Sequence, residues 1–92
     1  MVPVHPGRLL RGEIEERGLN ANQLALALRV PSGRITEILN GKRGLTAETS
    51  LRLAVYFGNS AQFWMNMQSQ YELALTEKKL GRKIAAEVSR AA

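Results

Sequence analysis

Apolar positions along the chain recur at three- and four-residue intervals, the period of one helix face, and strict apolar–polar alternation is nearly absent. A series of helices follows from that beat. The first opens at His5-Pro6-Gly7, since proline is acceptable at a first helical position. Leu10 and Ile14 form its inner side, Glu13, Glu15 and Glu16 face away, and Gly18 ends it. Asn20 caps the second helix, with Gln23 placed three residues on as in a capping box, and the inner stripe is Leu24, Ala25 and Leu28. Val30-Pro31 breaks the chain, because a residue before proline avoids the helical region.

A third, short helix runs from about Ser32 to Leu39 with Ile35, Ile38 and Leu39 inward, and Asn40-Gly41 stops it, the glycine suiting a left-handed cap. Lys42 to Leu45 form a loop. Thr46 caps the fourth helix, Glu48 sits favourably against the dipole in its first turn, and Leu51, Ala54 and Val55 are expected to face inward before Gly58 closes it. Asn59 or Ser60 caps a longer fifth helix through about Glu77, where Trp64, Met67, Tyr71 and Leu75 share one stripe. Met65, Ser69, Leu73 and Leu80 fall off that stripe and near one another. A small monomer rarely exposes such a set, so either a C-terminal segment folds back over it or a second copy or another protein covers it. Met65, Leu73 and Leu80 are the candidate interface residues. The expected fold class is all-α, a five-helix domain over residues 1–80 followed by a basic tail over 81–92.

Composition narrows what such a domain does. The chain has 92 residues, enough for a single core, and no cysteine, which excludes disulfides, thiolate nucleophiles and cysteine-ligated zinc. No apolar run is long enough to span a membrane, and MVPVHPGRLL lacks the pattern of a signal peptide, so a cytoplasmic protein is expected. Thirteen Lys and Arg against eight acids, all glutamate, give a formal charge of +5, a balance compatible with nucleic acid but no proof of it. Lys78, Lys79, Arg82, Lys83 and Arg90 concentrate positive charge near the C-terminus.

The stretch RVPSGRITEILNGKRG carries the sharper signal. Two short helices joined by about three residues have the spacing of a helix-turn-helix, whose second member lies in the DNA major groove. Opposite the inner side of that second member stand Ser32, Gly33, Thr36 and Glu37, small or polar and without an evident partner. Glycine weakens a helix by ~1 kcal/mol relative to alanine, yet permits close approach to backbone and bases. Ser32 and Thr36 can exchange hydrogen bonds with several bases, the Thr36 methyl can meet a thymine methyl, and Glu37 can accept from cytosine N4 although phosphates would repel it. Arg34 could reach a guanine or a phosphate, and Asn40, Lys42 and Arg43 are placed to hold phosphates.

The run N-A-N-Q-L-A-L-A-L-R-V-P-S-G-R-I-T-E-I-L-N-G-K-R-G resembles the helix-turn-helix of the Xre/λ-repressor-like family. His5-Pro6-Gly7, R-G-L-T-A-E-T-S-L-R-L-A-V-Y-F-G and S-A-Q-F-W-M-N-M-Q-S-Q-Y-E-L narrow the likeness to its HigA-type antitoxins. That resemblance implies base reading at Ser32, Gly33, Thr36 and Glu37, and phosphate positioning at Ala21, Asn40, Lys42 and Arg43, with Ala21 offering only its backbone N–H. It also implies a homodimer that binds operator DNA to repress its own promoter, and a partner toxin of the HigB/RelE-like ribonuclease type. Two positions depart from the family pattern: Arg29 stands where glycine commonly ends the second helix, and Pro31 where serine or threonine often caps the third.

No enzymatic constellation emerges. His5 is the single histidine, with no aspartate or cysteine to complete a triad or a metal site, and a role at the first helix's N-terminus suits it. The glycines lack phosphate-loop or dinucleotide spacing, and no cofactor is implied. Trp64 and Tyr71 read as packing residues. Two alternatives to the antitoxin stay open: a stand-alone regulator of the same family without a toxin, and an interaction adaptor that has lost DNA binding.

Overall fold

The computed structural model describes residues 2–91, which hold five helices and no strand: α1 (Pro6–Glu16), α2 (Ala21–Leu28), α3 (Ser32–Leu39), α4 (Ala47–Phe57) and α5 (Ala61–Glu87). The starts follow local chemistry. His5 Nδ1 accepts from the Gly7 N–H at 2.9 Å, and Asn20 and Gln23 complete a reciprocal capping box. Thr46 accepts from the Thr49 N–H and Ser60 from the Phe63 N–H. Asn59 is not the cap; its Oδ1 accepts from the Trp64 indole N–H at 2.8 Å.

One core lies where the helices converge. Leu10 and Ile14 of α1, Leu24, Ala25 and Leu28 of α2, Ile35 and Ile38 of α3, Leu45 of the loop, Leu53 and Ala54 of α4 and Trp64 of α5 are all buried. Leu39 is half-buried at its edge. α2 and α3 pack against each other, α1 crosses α3, and α4 packs on both α2 and α5.

Two expectations need correction. Leu51 and Val55 of α4 do not face inward: they are 59% and 86% exposed, and the buried positions are Thr49, Ser50, Leu53 and Ala54. The helix carries two apolar stripes, and packing on α2 and α5 selects the one through Leu53. Leu51, Val55 and Tyr56 instead line a shallow groove with Ala27 and Arg29. The fifth helix also continues well past Glu77, so the first half of the basic tail is helical. Among the described residues nothing folds back over Leu73, 68% exposed, or Leu80, 45% exposed; Met65 is half-buried. The helix projects from the body, giving extents of 52 × 22 × 22 Å. Among the described residues no helix is long and apolar enough to cross a membrane.

Candidate nucleic-acid interface

The joint between α2 and α3 is built from backbone geometry. Arg29 adopts φ +60°, the left-handed region that disfavours side chains, and the Val30 N–H returns to the Ala25 carbonyl at 3.0 Å. Arginine therefore holds a left-handed conformation that ordinarily suits glycine. Pro31 starts α3 without a side-chain cap. At the other end Gly41, φ +74°, closes a Schellman turn, with its N–H on the Ile38 carbonyl at 3.1 Å and the Lys42 N–H on the Glu37 carbonyl at 2.8 Å.

Ile35 and Ile38 anchor α3 to the core with no exposed surface, which turns Ser32, Gly33 and Thr36 outward. Among the described residues all three are exposed. A Cβ built on Gly33 would meet nothing within 4 Å, so the protein's own packing does not require glycine there. The Thr36 hydroxyl donates to the Ser32 carbonyl at 3.2 Å, leaving its methyl and an oxygen lone pair available.

The charged residues are less free than the sequence suggests. Glu37 is paired: Arg43 donates to its Oε1 from Nε at 3.2 Å, and Nη2 completes the ion pair 3.0 Å from the same oxygen. Arg34 lies 3.8 Å from Glu48, which also receives two bonds from Arg52, at 3.0 and 3.2 Å. Arg52 in turn donates to the Leu28 carbonyl at 2.9 Å, tying α4 to the end of α2. Lys42 is exposed and has no ion pair among the described residues. Ala21 is half-buried at the first position of α2, where only its backbone can be offered.

Three supporting residues escaped sequence reasoning. Arg11 reaches from α1 to the Leu39 carbonyl at 3.4 Å and the Asn40 side-chain oxygen at 3.5 Å, orienting Asn40. Buried Gln68 of α5 accepts from the Leu45 N–H at 2.8 Å and fixes the loop that follows α3. Arg52 joins α2 to α4. Each acts across a long sequence separation, and no local spacing marks it. Met65, Leu73 and Leu80 lie on α5.

Residues 10–64 match the model of a helix-turn-helix family. Virulence-associated protein I of Dichelobacter nodosus is 49% identical over 79 residues, covering 85% of this chain and 73% of that one. The structure of an addiction module antidote protein of the HigA family from Coxiella burnetii matches with a TM-score of 0.96 at 46% identity, covering 99% of this chain and 100% of that one. The Pseudomonas aeruginosa antitoxin HigA, solved with the higBA promoter, gives a TM-score of 0.96 at 39% identity over 99% and 100% of the two chains. A family match across more than half the chain, and a fold shared with HigA antitoxins over nearly all of it, place this protein in the HigA branch of the Xre-like helix-turn-helix family.

Proposed function

We propose that the protein is an antitoxin that represses its own promoter: it reads operator DNA with the outer flank of α3 and neutralises a RelE-like ribonuclease toxin. One observation carries the DNA half. Gly33 leaves space that the protein itself does not fill, in the middle of an outward flank flanked by Ser32 and Thr36. A helix that lays its first turns against base edges needs that clearance. Ser32, Thr36 and Glu37 meet bases, while Lys42, Asn40 and the N–H end of α2 at Ala21 hold phosphates. Arg34 supports the same flank from beside Glu48. The solved complex of the Pseudomonas HigA with its promoter supports this reading.

The toxin half draws its support from the antitoxin relatives. Dimer formation draws on the exposed face of α5 at Leu73 and Leu80, with Met65 at its inner end. Two copies would then read half-sites about 10 bp apart or a multiple of that.

Binding across sequences and salt concentrations tests the DNA half. Lys42→Ala should weaken binding to every sequence alike and lower the salt slope by ~1. Thr36→Ala should relax preference at one base pair by ~1–3 kcal/mol with the slope unchanged. The opposite pattern would exchange the two roles, and no preferred sequence at all would leave an adaptor. Co-expression with the product of the neighbouring gene, followed by pull-down and a growth assay, tests the toxin half; failure of both would leave a stand-alone regulator.

A further inference from the structure

We propose that Glu37 and Arg43 read one base pair as a coupled unit, with Arg43 a positioning residue for the carboxylate and not an independent phosphate clamp. This rests on the DNA-reading role of α3. Arg43 Nε donates to Oε1 at 3.2 Å, and Nη2 lies 3.0 Å from the same oxygen as its ion-pair partner. Oε2 has no hydrogen-bond partner among the described residues and is the oxygen left to accept from a base. A carboxylate has no donor, so it selects an exocyclic amino group, cytosine N4 or adenine N6.

The pairing is prepared by the backbone. The left-handed Gly41 and the Lys42 N–H bond to the Glu37 carbonyl turn the loop back over the end of α3, which brings together two side chains six residues apart. Electrostatics gives the arrangement its purpose. A lone carboxylate between two phosphate rows is repelled, whereas a Glu–Arg unit is neutral and can enter the groove. Moving Arg43 onto a phosphate would strip Glu37 of that compensation. Lys42 is the adjacent cation, exposed and unpaired, that serves the backbone instead. The fold has little use for the pair, since both side chains are 46% exposed and an exposed ion pair contributes little to stability. For the same reason, variants at either position are expected to fold.

The test is selection from a randomised duplex library together with salt titration of the intact protein, for Glu37→Gln, Arg43→Gln, Arg43→Lys and the double Gln variant. Glu37→Gln and Arg43→Gln should relax preference at the same base pair by about 5-fold or more. The double variant should lose no more than the worse single one, Arg43→Lys should recover part of the preference, and the salt slope of Arg43→Gln should stay near that of the parent. An Arg43→Gln variant that binds all sequences more weakly by the same factor, with a slope lower by ~1 and effects that simply multiply with those of Glu37→Gln, would overturn the unit alone. A parent protein with no preferred sequence would overturn both the unit and the DNA reading beneath it.

Discussion

A β-carbon on Gly7 would sit 1.9 Å from the Ile38 carbonyl oxygen, so the first turn of α1 rests directly on the backbone of α3. Backbone cannot yield as a flexible side chain does. Gly7→Ala should cost about 3 kcal/mol in a urea titration, a large share of a small domain's stability, and tilt α3 with it. The preceding residue adds a titrating cap. Burial holds the His5 imidazole below its ordinary 6.5, with a backbone contact to Arg43 opposing that shift. The cap needs Nδ1 unprotonated, because it accepts from Gly7. Unfolding raises the affinity for protons, so the His5 contribution is complete above about pH 6.5 and is lost as pH falls through the lower folded value. His5→Asn, an acceptor that does not titrate, should remove that part of the decline in melting temperature between about pH 7 and 5.

Among the elements, α5 fixes the loop that follows α3. Gln68 satisfies the Leu45 N–H in a buried setting, and its Nε2 continues to Glu72 at 3.2 Å. Gln68→Ala should destabilise by about 1–3 kcal/mol, as expected for an orphaned buried donor, and raise amide exchange selectively at Leu45. The caps at Asn20 and Thr46 were legible in the sequence because each lies within three residues of the N–H it satisfies, whereas Asn59 and Ser60 stood as equal candidates until the Trp64 indole claimed Asn59. The inner side of α3 was legible too, where Ile35 and Ile38 leave one choice of face. Helix α4 was misread at Leu51 and Val55 because its sequence supplies two apolar stripes, and only its neighbours decide between them. Glu37 looked unpaired for a related reason: its arginine arrives by way of a turn. Local chemistry sets where helices begin, and contacts between helices set which side chains remain free.

At the scale of the molecule, two exposed apolar regions are candidates for the proposed dimer contact: Leu73, Leu80 and Ile84 on α5, and Leu51, Val55 and Tyr56 on α4. The α5 face is the proposed dimer surface. Leu73→Glu should halve the mass seen in sedimentation and reduce operator affinity, while Val55→Glu should leave the mass unchanged. The reverse result would move the contact to α4. Neither region includes a residue of α3.

The projecting end of α5 has its own thermodynamics. Its last turns, residues 82–87, are exposed along their length, and a short helix without tertiary support is marginal in water. Any copy or partner that grips those turns also completes their coil-to-helix transition, so their order becomes a function of protein concentration. Dilution would then unravel the overhang first and leave each reading head folded, able to recognise its own half-site and without the reach to hold two.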